Sequence, residues 1–252
     1  MTKPFRAKDL SRNAKERIII ALDVSTAAEA RAIVSELRDE VGAFKIGLQL
    51  FTAEGPAMVR EMAEEGHKIF LDLKFHDIPN TVAKASVEAA RLGVWMFNVH
   101  TAGGAEMMRA AVNEVREACD RENLGLPNII GVTVLTSHDA TTLAETGIVG
   151  GDVTRQVERL VSLAFGCGLD GVVASPNEAA VVRKAVGTGN FMIVTPGVRP
   201  PNATFDDQKR VMTPGAAVAA GSEYLVIGRP VTAAIDRTSV IKCILEEIDN
   251  LK

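Results

Sequence analysis

The chain has 252 residues, 24% of them charged and 47% hydrophobic, with a net charge of −4. That balance argues against a nucleic-acid or anionic-membrane partner, and no apolar run approaches transmembrane length. The three cysteines, Cys119, Cys167 and Cys243, are far apart with no Cys-x-x-Cys, which argues against structural zinc or disulfides and points to a reducing cytoplasm.

Residues 1–16 are polar and basic (Lys3, Arg6, Lys8, Arg12, Lys15) and lack the apolar centre of a signal peptide, so they read as an N-terminal tail before a unit at 17–252. Arg17 to Leu22 is a β-branched run ending at Asp23, the first expected strand. Thr26 and Glu29 have capping-box spacing and open a helix to about Glu40. Ala43 to Gly47 is a second strand with Lys45 inside it, followed by a helix from about Phe51 to Glu65. The third strand lies in His67 to Thr81, HKIFLDLKFHDIPNT, and a helix follows from about Thr81 to Leu92. A fourth strand at Trp95 to Val99 ends at His100, and Gly103 to Arg121 is helical. Asn128 to Leu135 is the fifth strand, ending in Thr136-Ser137-His138-Asp139, with a helix around Thr154 to Phe165. Gly171 to Ala174 is the sixth strand, before the helix-opening Ser175-Pro176-Asn177-Glu178. Phe191 to Val194 and Tyr224 to Ile227 are the seventh and eighth, and Pro230 opens the last helix.

Eight strand-then-helix units with no linker or composition shift indicate one (β/α)8 barrel, an α/β fold that typically takes roughly 250 residues. A doubly wound open sheet is disfavoured, because Asp23-Val24-Ser25 follows the first strand instead of a Gly-x-Gly-x-x-Gly turn.

In the third strand Ile69, Leu71 and Leu73 alternate with Phe70, Asp72 and Lys74. A central parallel strand should be apolar on both faces, so Asp72-x-Lys74-x-x-Asp77 calls for a reason. A structural ion pair at a solvated strand end is the ordinary explanation for one such motif. Asp23, Lys45, His100 and Thr136 end other strands, however, and in a barrel all of these converge on one mouth, where active sites lie. After the seventh strand comes Thr195-Pro196-Gly197-Val198-Arg199-Pro200, a long segment running through Gln208 to Met212; Gly228-Arg229-Pro230 follows the eighth. Loops there, with a helix N-terminus, form the usual phosphate site of this fold. The histidines show no metal-ligand spacing, and Cys119, Cys167 and Cys243 read as small buried hydrophobes. Trp95, Met96, Met107 and Met108 read as core or subunit contact.

Asp72 to Thr81 (DLKFHDIPNT) resembles the signature of the orotidine 5′-monophosphate decarboxylases. The likeness continues through ALDV (Ala21 to Val24), FKIG (Phe44 to Gly47), VLTS (Val134 to Ser137), VTPGVRP (Val194 to Pro200), DQKR (Asp207 to Arg210) and VIGRPV (Val226 to Val231), in order and over nearly the whole chain. The resemblance implies decarboxylation of orotidine monophosphate to uridine monophosphate in pyrimidine synthesis, without metal or organic cofactor, by a homodimer with shared sites. It makes Lys74 the proton donor to C6, flanked by Asp72 and by Asp77 of a partner subunit, with Lys45 extending the charge chain. Asp23 and the partner's Thr81 would lie near the ribose, Thr136 at the pyrimidine edge, and Arg199, Gln208, Gly228 and Arg229 at the phosphate. Two rivals stand beside it: a magnesium-dependent sugar-phosphate decarboxylase or aldolase with a similar Asp-x-Lys-x-x-Asp, and a non-catalytic nucleotide-phosphate sensor. Ile78-Pro79-Asn80-Thr81 and the GVRP and GRP motifs favour the pyrimidine enzyme, and the sensor would have no need of the charge chain.

Overall fold

Eight parallel strands close on themselves in sequence order, each hydrogen-bonded to the next and β8 to β1. The structure, a computed structural model, describes residues 13–148, 151–187, 190–199 and 212–250. The strands are β1 (Ile18–Ala21), β2 (Ala43–Gly47), β3 (Ile69–Phe75), β4 (Met96–His100), β5 (Asn128–Val132), β6 (Gly171–Val173), β7 (Met192–Pro196) and β8 (Tyr224–Ile227). The helices are α1 (Ala27–Leu37), α2 (Leu48–Glu64), α3 (Pro79–Arg91), α4 (Gly104–Glu122), α5 (Ala140–Glu145), α6 (Val153–Gly166), α7 (Ala179–Val186), α8 (Pro214–Ala219), α9 (Arg229–Thr232) and α10 (Arg237–Asp249). The expected (β/α)8 barrel is therefore the observed one. Of the tail at 1–16, the described end packs: Ala14 is buried in a 3-10 helix, Ala14–Arg17, that leads into β1.

Strand alternation divides the core into two layers. Outward residues such as Ile18, Ile20, Ile69, Leu71 and Phe97 meet the helices. Inward residues, among them Ile19, Phe70, Met96, Ile130 and Val194, fill the barrel, and Tyr224 packs edge-on against Trp95. Met107 and Met108 are fully buried on α4. Burying one such side chain contributes roughly 1.5–3 kcal/mol, so this double layer is the main source of stability.

The differences from the sequence expectation have local causes. The second helix starts earlier, at Leu48, and is broken where Gly55 turns to φ 73° before Pro56, which has no N–H to donate. The last helix is two, α9 and α10, the second capped by Asp236, whose carboxylate accepts from Ser239 N. A short helix, α5, lies between β5 and α6, capped by Asp139. β5 ends at Val132 rather than Leu135, because Val134, Leu135 and Thr136 leave the ladder to line the barrel mouth. Cys119 and Cys167 are buried as expected, but Cys243 is exposed on α10. No described helix is long and apolar enough to cross a membrane.

Candidate active site

A cavity of about 510 Å³ opens at the C-terminal ends of the strands. Every strand but β4 sends residues to its lining: Asp23 follows β1, Lys45 is on β2, Asp72 and Lys74 are on β3, Thr136 follows β5, Val173 is on β6, Arg199 follows β7, and Gly228 and Arg229 follow β8. β3 and β7 are four strands apart in a ring of eight, so Lys74 and Arg199 rise from opposite sides of the mouth.

One side of the cavity is a chain of alternating charge. Lys45 Nζ lies 2.9 Å from Asp23 Oδ1 and 3.4 Å from Asp72 Oδ2, and Lys74 Nζ lies 2.6 Å from Asp72 Oδ1. The register explains the meeting: Lys45 pairs with Ala21 on one side and Phe70 on the other, so its side chain points inward one layer below Asp72. Burial alone would push the Asp72 carboxyl upward. The ammoniums of Lys45 and Lys74, with hydrogen bonds from Lys74 and Asn98, outweigh it and hold the pKa below the usual carboxylate value. Asp72 is therefore a fixed anion between two cations.

His100 lies beside this chain, its ring 5.4 Å from that of His76. Burial first, then the nearby His76 and Lys74 charges, push its pKa down to about 4, so it is neutral at physiological pH.

On the other side, Arg199 is largely buried, and its backbone N–H donates to Met212 O at 3.1 Å, joining the two ends of the connection between β7 and α8. Arg229 is exposed at the cavity rim, at the first residue of α9. Gln208 lies outside the described residues.

Asp23, Lys45, Asp72, Lys74, Thr136, Arg199, Gly228 and Arg229 thus share one cavity. Asp77 and Thr81 do not line it; both are exposed, on the segment leading into α3 and in its first turn. Ile78 between them is 66% exposed. The sequence reading missed Asn98, a buried amide on β4 bonded to both Asp72 and Lys74. Its signal was a lone amide between Phe97 and Val99 in a strand that should be apolar throughout.

Among the described residues, no group of three or more His, Cys, Asp or Glu is placed to hold a metal ion. The two aspartates that line the cavity, Asp23 and Asp72, instead share the Lys45 ammonium.

A parallel barrel with an Asp–Lys–Asp–Lys chain at its mouth and two arginines beyond defines a phosphosugar- or nucleotide-handling barrel enzyme. The chain belongs to the Orotidine 5′-phosphate decarboxylase / HUMPS family, whose pattern it matches over residues 16–244. It is 53% identical over 235 residues to the orotidine 5′-phosphate decarboxylase of Syntrophotalea carbinolica, covering 93% of this chain and 96% of that protein. It is 52% identical over 241 residues to that of Moorella thermoacetica, covering 95% of each. The crystal structure of orotidine 5′-phosphate decarboxylase from Lactobacillus acidophilus superposes with a TM-score of 0.80 at 33% identity, over 92% of this chain and 98% of that one.

Proposed function

We propose that this protein decarboxylates orotidine 5′-monophosphate to uridine 5′-monophosphate, with Lys74 as the proton donor. The observation that carries the reading is the Asp23–Lys45–Asp72–Lys74 chain inside a cavity with Arg199 and Arg229 on its far side. Breaking the bond from C6 to the carboxylate releases CO2 and leaves an electron pair on C6, orthogonal to the ring π system. The ring offers that pair no delocalisation, so stabilisation has to come from charge already in place. The Lys74 ammonium meets the need and then delivers a proton to C6, taking one back from water afterwards. Asp72 holds the Lys74 Nζ in place: a unit pair at about 4 Å with an effective dielectric near 20 interacts by roughly 4 kcal/mol. Asp72 would also face the departing carboxylate.

Arg199, Gly228 and Arg229, with Gln208, hold the phosphate, Thr136 meets the pyrimidine edge and Asp23 the ribose. The phosphate is remote from C6, so its binding energy can hold the reacting group in place. Asp77 and Thr81 complete the site of a second copy of the chain. Their exposure outside their own cavity, beside the exposed apolar Ile78, supports that assignment. The rival magnesium chemistry is not favoured: an ion bridging Asp23 and Asp72 would have to displace the Lys45 ammonium already between them.

The test is the fall in orotidine monophosphate absorbance on adding the protein in excess EDTA. The wild-type protein should turn over fully, and Lys74→Ala should bind uridine monophosphate yet lose nearly all turnover. Activity that disappears in EDTA and returns with magnesium would overturn the cofactor-free reading, and a Lys74→Ala variant within tenfold of wild type would remove Lys74 from its role.

A further inference from the structure

The ladder between β3 and β4 pairs Leu71 with Phe97 and then Phe75 with Val99, so four residue steps on β3 face only two on β4. Asp72, Leu73 and Lys74 bulge between those pairs, and Lys74 takes φ 53°. That left-handed region costs a residue bearing a β-carbon about 1–2 kcal/mol, and such a conformation persists only where its surroundings hold it. Asn98 lies between Phe97 and Val99, opposite the bulge and 1% exposed. Its Oδ1 accepts from the backbone N–H of Lys74 at 2.8 Å, and its Nδ2 donates to Asp72 Oδ1 at 2.7 Å. Only one orientation of the amide satisfies both partners, because a carboxylate accepts and a backbone N–H donates.

We propose that Asn98 is a positioning residue for the Asp72–Lys74 pair, one carboxamide holding the Lys74 backbone in its left-handed turn and aiming the Asp72 carboxylate between Lys74 and Lys45. The proposal rests on Lys74 being the proton donor. With Lys74 in this turned backbone, its Nζ lies 2.6 Å from Asp72 Oδ1. The amide stands in for the ladder bond that the bulge removes, and among the described residues supplies the one neutral donor to Asp72. Among the described residues, the charged and titratable groups around this pair are Lys45 from β2, Asp23 beyond it, Lys74 itself, and His100 at the end of β4 with His76, just after β3, and His138, beyond β5, near that ring.

The experiment compares Asn98→Ala, Asn98→Leu and Asn98→Asp for kcat and for affinity toward uridine monophosphate, with thermal unfolding to establish that each folds. Displacing a catalytic group by about an ångström costs on the order of a hundredfold in rate, so Asn98→Ala and Asn98→Leu should lose about that much in kcat while product affinity stays within about threefold. Asn98→Asp is the variant a merely structural role would not separate. At neutral pH its new carboxylate accepts from Lys74 N–H but repels Asp72. Once it takes up a proton it presents the same acceptor and donor as the amide, so its kcat relative to wild type should rise as pH falls from 8 toward 5.5, within about the 3–5 units by which full burial can raise a carboxyl, here with a like charge beside it. The deficits of the Ala and Leu variants should not change with pH in this way. Asn98→Ala and Asn98→Leu within threefold of wild-type kcat, or a deficit in Asn98→Asp that pH does not alter, would overturn the proposal, and the Asp variant alone decides it should the others not fold. A failure of the premise is distinguishable, since it would show as retained turnover in Lys74→Ala.

Discussion

Arg229 stands at the rim of the cavity, at the start of a four-residue helix, where its guanidinium can meet a phosphate without touching the pyrimidine. Losing one charge-assisted hydrogen bond typically costs roughly 1.5–3 kcal/mol. Arg229→Ala should therefore lower kcat/KM for the nucleotide about tenfold to a hundredfold while leaving turnover of the phosphate-free nucleoside almost unchanged. Equal losses on both substrates would place Arg229 elsewhere in the reaction. His100 gives a prediction in pH. Its pKa in the folded protein is about 4, against about 6.5 for an unperturbed histidine. Between those values the unfolded chain binds a proton that the folded chain refuses, so stability falls as pH drops from about 6.5 to about 4. At neutral pH both forms are neutral and the group contributes nothing. In urea titrations, His100→Gln should show a shallower loss of stability than wild type across that window. Identical slopes would mean His100 is protonated in the folded protein.

Elements are positioned by how closely their backbones can approach. β6 is only three residues long, and a β-carbon at its first residue, Gly171, would lie 2.4 Å from Met192 O on β7. Gly171→Ala must push β6 off β7 or distort both, and overpacking of this kind typically costs about 1–3 kcal/mol. Its midpoint in thermal unfolding should fall clearly below that of wild type, with Gly187→Ala a poor control because Gly187 itself has φ 76°; Gly125→Ala, where a β-carbon meets open space, is the better one. An unchanged midpoint for Gly171→Ala would mean that β6 and β7 are not packed as described. At this scale most boundaries were legible in the sequence, because capping residues and β-branched runs act locally: Thr26 accepts from the backbone N–H of Glu29, as its position suggests. The break in α2 and the split of the last helix were not read, although Gly55-Pro56 carried the first in plain sight.

Among whole-molecule features, the placement of Asp77 bears on assembly. Pro79 is the first residue of α3; Asp77 and Ile78 lie exposed just before it and Thr81 lies exposed in its first turn. If the working unit is a homodimer sharing its sites, mixing inactive Lys74→Ala with inactive Asp77→Asn restores activity. One site of each mixed dimer carries both lesions and the other neither. Random exchange makes half the dimers mixed, so about a quarter of wild-type activity should return. No recovery after confirmed subunit exchange would mean that Asp77 serves its own chain.

The sequence by itself determined the order of the elements, the barrel, and several of the residues that reach its mouth, though not that His100 and Asp77 stay out of the cavity lining, because period-2 strands and strand-end polar residues are local patterns that one topology gathers into one place. Asp72 and Lys45 were expected in a charge chain from the resemblance alone, with Asp23 at the ribose; that Asp23 joins the chain follows from its strand lying next to β2 in the sheet. Only the tertiary structure decided that Lys74 leaves extended geometry and that Asn98, twenty-four residues away, holds it there. A side-chain bond across a bulge depends on the register of two strands, and register is set by the packing of the whole sheet rather than by either segment alone.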